Sequence, residues 1–454
     1  MSGSFGFGPN NGADDEYNPD RDNPDRDNSD RNNSGMPNMG DLFAQFSNLG
    51  MNPQSLFTGF QNAAASDGSL VPTAVIRDVA RKFLMTQSEL PVGLTDLAQS
   101  EEALAIANTW LDAVTIFPAT THVANNSWSR RDWLDSSIEG WQKLIEPLAG
   151  GMAEALTQGL PALGQIDMSQ LDIPELAGMQ LPDLSAIVPM MRNFVGILFA
   201  TQLGQAVGQL ALSVTGAHDV ALPIFKSAEA RLLPQNIAAW GAGLELPAEE
   251  IRIFLALREA AAARLFSHTP WLADYIREAI AAYGSGIRID IQAVQRQAED
   301  AINTGELDLT NPESINIAIT RGMFTPEQTP KQEAALNKLE MVLALIDGWI
   351  DYVTSEAAQS RLPAFAALSE TLRRQRATSA PTQQLFASLL GLQVSPRKTR
   401  ECVAFWGEVT ALAEAKGRDY RWEDAVLLPT ADDLGDAAKF LASTSVPDDL
   451  SGLL

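Results

Sequence analysis

From Val71 onward the sequence keeps a helical hydrophobic period almost without a break, which confines the fold to a mainly α class with little sheet. In "LVPTAVIRDVARKFLMTQ" the residues Val75, Ile76, Val79, Phe83 and Leu84 share one face. "QSEEALAIANTWLDAVTIF" opens at a serine that predicts a cap, and "SWSRRDWLDSSIEGWQKLIEPLA" repeats the spacing with Trp133, Ile138, Trp141 and Leu144. "LPAEEIRIFLALREAAAARLFSHT" reads as a further capped helix. In "TPKQEAALNKLEMVLALIDGWIDYVTSEAAQ", Leu336, Leu339, Leu343, Ile346 and Ile350 mark a long buried stripe. Only "GIRIDIQ" alternates, and its Asp290 can equally cap a following helix. The Pro- and Gly-rich stretch from Gly150 to Pro189 reads as a loop-heavy connector inside one domain, because apolar content never falls across it.

This divides the chain into a tail and linker (1–70), one helical domain (71–445) and a short flexible end (446–454). "NPDRDNPDRDNSDRNN" offers nothing to bury, so the cost of ordering it has no compensation and disorder is expected. Its aspartates do not form a calcium loop, since the glycine and distal glutamate that such a loop needs are out of register. "MPNMGDLFAQFSNLGMNPQSLF", rich in Met and Phe, is either a docking helix or an apolar linker.

With 57 acidic against 32 basic residues the formal charge is −25, which disfavours nucleic acid as a partner. A single cysteine, Cys402, cannot form an internal disulfide, and no secretory signal opens the chain, so a reducing cytoplasmic setting is expected. One uncharged run, Asn193 to Ala217, is long enough to span a bilayer at about 1.5 Å per residue. Gln202, Gln205 and Gln209 would lack partners in lipid, and the spacing of Gly196, Ala200, Gly204 and Gly208 suits close helix packing, so a buried soluble helix is expected and no membrane span.

"REAAA", residues 258 to 262, has the frame of a helical His-Glu-x-x-His zinc motif, in which two imidazoles four apart grip the metal and the glutamate polarises water. Arg258 and Ala262 stand at the imidazole positions. Neither offers a lone pair, and the guanidinium would repel a cation. Around this motif the chain resembles a bacterial family of zincin-like hydrolases labelled zinc-dependent metalloproteases. The likeness runs from about Arg77 to Leu441 through blocks that include "ANTWLDAVT", "GQAVGQLALSVTGAHDVALPIF", "RGMFTPEQTPKQEAALNKLEMVLALIDGWIDYV", "LRRQRATSAPTQQLFASLLGL" and "LLPTADDL". It implies a zincin-like helical domain, with Glu259 as a vestigial general base. It also implies that Asp347 stands where a third, glutamate ligand is expected and Tyr352 where histidine often appears, with Asp351 beside them. Losing two ligands removes most of the roughly 10 kcal/mol that a three-ligand zinc contributes, so no bound metal is expected.

In place of the metal, Arg258 is expected to pair with Asp347 and with Glu259; the plainer alternative puts Arg258 and Glu259 on a solvated helix face. The histidines do not restore a ligand set. His268 reads as a helix-end residue favoured by the dipole, His218 beside Asp219 makes a weak acid–base pairing, and His122 has no neighbouring signal. No nucleophile elbow or phosphate loop occurs. Arg373, Arg374, Arg376, Arg397, Lys398 and Arg400 form the one basic concentration, read as a solvated helix face, and the tryptophans at 128, 133, 141, 240 and 349 read as core. The resemblance and the lost ligands together imply a catalytically inactive family member that binds a peptide or protein in the former cleft. The alternatives are an active hydrolase whose zinc is held by His268, Glu259 and Asp347, and a purely structural helical partner protein. Oligomeric state has no signature in the sequence.

Overall fold

The computed structural model describes residues 68–121, 125–163, 184–288, 329–379 and 396–443. Outside them lie residues 1–67 of the expected 1–70 tail and linker, with its Asp-rich and Met/Phe-rich segments, His122, the alternating piece from residue 289 with Asp290, and the end from residue 444. The helices in chain order are α1 (Thr73–Met85), α2 (Leu94–Leu111), α3 (Arg130–Leu163), α4 (Leu184–Leu210), α5 (Pro234–Gly241) and α6 (Ala248–His268). They continue as α7 (Leu272–Ser285), α8 (Pro330–Ala358), α9 (Phe365–Ser379), α10 (Pro396–Asp419) and α11 (Ala437–Ser443), with three short 3-10 turns between the last two. No strand forms among the described residues; isolated bridges join Leu232 to Ser127 and to Gly216.

A helix with apolar residues on every side must lie in the middle of a bundle, and α6 is that helix. From Ile251 to Phe266 every residue but Arg252 is buried. It packs against α2, α5, α8 and α9, while α8 also rests on α7 and α10. The stripe expected on α8 is largely buried, with Leu336 at its edge. Its start is set by Thr329, whose hydroxyl accepts from Gln332 N at 3.2 Å while Gln332 Oε1 accepts from Thr329 N at 3.0 Å, a reciprocal cap.

The small-residue run on α4 is a seam for α1. A side chain at Gly204 would meet the carbonyl of Ile76 and Cβ of Val79, both 2.8 Å from its Cβ, and one at Gly208 would crowd Ala80 and Phe83. Among the described residues no helix is long and apolar enough to cross a membrane. Gly204→Val is therefore expected to cost about 1–3 kcal/mol by overpacking, read as a fall in the urea midpoint at unchanged slope; an unchanged midpoint would mean that α1 does not dock there.

Three expectations are corrected. α2 begins after Gly93, not at Ser100, which lies buried inside the helix; Asp96 takes the capping part by accepting from Gly93 N at 2.8 Å. α6 starts after Pro247 with no side-chain cap, and its Glu250 instead accepts from Ala364 N at 2.7 Å. The stretch expected as a connector from Gly150 is helical to Leu163 and again from Leu184, leaving 164–183 outside the described residues. Gly151 serves packing: a Cβ there would lie 2.3 Å from the carbonyl oxygen of Gly284, so α3 and α7 cross backbone to backbone.

Candidate functional site

The site forms where α4 ends and the chain turns through 215–219 over the middle of α6. Short backbone ladders fix this turn. Leu233 N donates to Thr215 O at 2.9 Å and Ala217 N to Arg231 O at 2.9 Å, while Trp128 N donates to Leu232 O at 2.8 Å. The end of this ladder meets Glu259. Oε2 accepts from His218 N at 2.8 Å, and Oε1 accepts from Arg231 N at 3.0 Å and from His218 Nδ1 at 2.8 Å. Gly216 makes the approach possible, since a Cβ there would lie 2.3 Å from Glu259 Oε2. Both carboxylate oxygens are thus engaged, and Glu259 and His218 are only 3% and 2% exposed.

Arg258, one residue earlier on α6, turns toward α8. Its Nη2 lies 3.2 Å from Asp347 Oδ1, and its Nη1 bonds to Asp351. From α9, Arg376 bonds through Nη1 to the same Asp347 oxygen and through Nη2 approaches Asp219 Oδ1 at 3.6 Å. Asp219 is itself held by Thr215, whose N and Oγ1 donate to it at 2.8 and 3.0 Å. Two guanidiniums and three aspartates therefore join the 215–219 turn, α6, α8 and α9. A recess of about 10 Å³ remains beside Arg258, Arg376 and Asp219, bordered also by Gly216, His218, Glu259 and Ala262. That is the scale of one water molecule.

The charges reinforce one another. Burial works against ionisation of Asp347, but Arg376 and Arg258 outweigh it and hold the carboxyl below its ordinary range. Burial likewise opposes the charge on Arg376, yet Asp347, Asp351 and Asp219 raise its pKa further. Because the folded-state pKa of Asp347 is depressed, its stabilisation is complete above the unfolded value near about 4 and is lost as pH falls through the folded value. Asp347→Asn should cost about 2 kcal/mol at neutral pH, and the gap from the parent should narrow in unfolding curves as the pH falls below about 4. A gap independent of pH would remove the ion-pair account.

The geometry reorders the expected residues. Arg258 meets Asp347 as expected, and Asp351 also, but not Glu259, which is turned the other way by His218 and two backbone amides. Arg258 and Glu259 are buried, so the solvated-face alternative does not hold. His218 pairs with Glu259, because the turn sends Asp219 back to Thr215. Its presence in the "TGAHDV" block was visible in the sequence; its partner, forty-one residues later, was not. Arg376 leaves the basic face expected of it and enters the site. His268 ends α6, where its Nδ1 meets Arg264 O at 2.8 Å and its ring stacks on Phe117 at 5.1 Å. Tyr352 lies under Arg418, 5.5 Å from ring centre to guanidinium, and against Gly407. Among the five expected tryptophans, Trp133, Trp141 and Trp349 are fully buried and Trp128 and Trp240 pack partly buried against the core.

These residues do not fit a zinc ion. Arg258 and Ala262 offer no lone pair, Asp347 is bound by two guanidiniums, Glu259 accepts from His218 and from Arg231 N, and His268 stacks on Phe117. Among the described residues no three of His, Cys, Asp and Glu gather as a metal site.

Residues 71–441 match the sequence model of a family described as zincin-like metallopeptidase. A solved structure from Chloroflexus aurantiacus, entitled "a putative hydrolase with a novel fold", is similar in fold, with a TM-score of 0.55 at 18% identity over 82% of this chain and 98% of that one. A search of curated proteins finds no match. With the family match spanning the bundle and the whole of the Glu259 and Arg258 site, the chain belongs to the zincin-like metallopeptidase family.

Proposed function

We propose that this chain is a family member without metal-dependent hydrolysis, acting in a reducing cytoplasmic setting by binding a protein or peptide partner. The observation that carries the reading is the guanidinium of Arg258 in a ligand position, engaged by Asp347 and Asp351. A metal-bound water needs a cation with an open coordination position; here the carboxylates are neutralised by fixed side chains, and the glutamate expected to polarise the water is spent on His218 and two backbone amides.

Chemistry of this kind leaves a fold that needs no metal. The full chain, purified without chelator and dialysed, is expected to carry well under one equivalent of zinc by elemental analysis and to leave a denatured protein substrate intact. Stoichiometric zinc together with hydrolysis that a chelator abolishes would overturn the reading. Zinc-dependent unfolding, with a midpoint that rises with added metal, would overturn it equally.

A further inference from the structure

The two arginines of the site are not equivalent. Arg258 projects from the most buried helix and is itself 7% exposed, so it is a fixed part of the core. Arg376 comes from α9, which touches the rest along one line: Leu368, Ser369 and Leu372 are buried, and the neighbouring faces are largely exposed. Its side chain closes the recess from outside and keeps one-fifth of its surface in solvent. Among the described residues its buried side chains are few, which is the character of the less stable part of a fold.

The seat that Arg376 occupies has the shape of its ligand. Nη1 is taken by Asp347 from α8, and Nη2 faces Asp219 from the 215–219 turn. One acceptor is hydrogen-bonded by Nη1 and a second, on another element, lies 3.6 Å from Nη2, a spread that a planar fork spans better than a single ammonium. Three aspartates share two guanidiniums, so withdrawal of Arg376 leaves Asp219 and Asp347 short of a cation. Arg258 blocks a metal from that vacancy by its charge. It also lines the recess, and its Nε is fully buried without a hydrogen-bond partner, one donor available to a carbonyl brought in by a ligand.

We infer that the place between Asp347 and Asp219 taken by the Arg376 guanidinium, beside the recess, is a guanidinium seat, and that its exchangeable ligand is an arginine side chain of a protein partner, admitted when α9 lifts away. The inference rests on the reading of the former cleft as a binding site and names the chemistry it recognises. The internal arginine is an intramolecular competitor with an effective concentration in the millimolar range or above. It therefore holds the seat closed until a partner supplies an arginine together with further contacts.

The test uses the full chain with Arg376→Ala, and Arg376→Gln where the alanine variant does not fold, titrated with N-acetyl-arginine amide at constant ionic strength. Thermal unfolding and calorimetry are read together. Arginine amide is expected to raise the melting temperature of the variant and to bind it about tenfold more tightly than the parent, whose own side chain occupies the seat. The lysine and citrulline amides should do neither, and adding Asp347→Asn should remove the effect. Equal rescue by lysine amide, equal binding to the parent, or rescue that survives Asp347→Asn would each overturn the proposal. None of these outcomes alters the zinc content of the parent chain, so the guanidinium seat can fail while the non-hydrolytic reading stands.

Discussion

Glu259→Ala is expected to lower the unfolding free energy of the full chain by about 3–5 kcal/mol, because it strands three buried donors at once and each costs about 1–3 kcal/mol. His218 N, Arg231 N and His218 Nδ1 all end on this carboxylate, whose residue is 3% exposed. The loss is local in origin and wide in effect. His218 lies in the turn after α4 and Arg231 in the segment before α5, so the carboxylate ties two segments far apart in sequence to the central helix. Glu259→Gln separates acceptor from charge. One amide oxygen can still accept from a backbone N–H while the amide nitrogen faces a second donor, so an intermediate loss is expected. Urea unfolding followed by circular dichroism gives the comparison. A glutamate poised for catalysis is dispensable for folding, so a loss below about 1 kcal/mol, the worth of a single ordinary hydrogen bond, would reject the structural role argued for Glu259.

The second large effect belongs to Asp419, which is 0% exposed at the end of α10. Its Oδ2 accepts from Thr115 Oγ1 at 2.6 Å, Ile116 N at 2.9 Å and Arg418 Nη2 at 3.0 Å. Its Oδ1 accepts from Trp349 Nε1 at 2.9 Å and Arg418 Nε at 2.7 Å. A break in helical geometry at Glu414, with φ 58°, lets the end of α10 turn inward to this knot. Asp419→Ala leaves Arg418, 1% exposed, as an uncompensated buried cation, a change expected to cost about 3–5 kcal/mol. Removing both charges should hurt less than the sum of the single changes, since the second substitution deletes the charge that the first had stranded. A double-mutant cycle with Arg418→Met measures that coupling. Additive losses would mean that the pair contributes nothing jointly.

Much of this was legible in the residues. The apolar period marked α1, α3, α6 and α8, and the small-residue run on α4 announced a close helix contact whose partner turned out to be α1. The replacement of both ligand positions in "REAAA" followed from reading five letters, because lone pairs belong to residue types and not to folds. Gly151 misled for an equally physical reason: glycine marks a turn by its backbone freedom, yet here it is small enough for α3 and α7 to touch. Arg376 was hidden because its neighbours Arg373 and Arg374 are exposed, and only the docking of α9 on Leu368 and Leu372 carries one arginine of the cluster inward.

By itself, then, the sequence determined that helices such as α1, α3, α6 and α8 form, and that no imidazole stands at positions 258 and 262. Both follow from local periodicity and from the chemistry of single side chains. Only the tertiary structure decided how the charges are shared: Glu259 with His218 and the turn, Arg258 with Asp347 and Asp351, Arg376 with Asp347 and Asp219. The reason is distance. Partners separated by tens of residues have no pattern linking them in the chain, and a buried ion takes the nearest opposite charge that packing brings within reach.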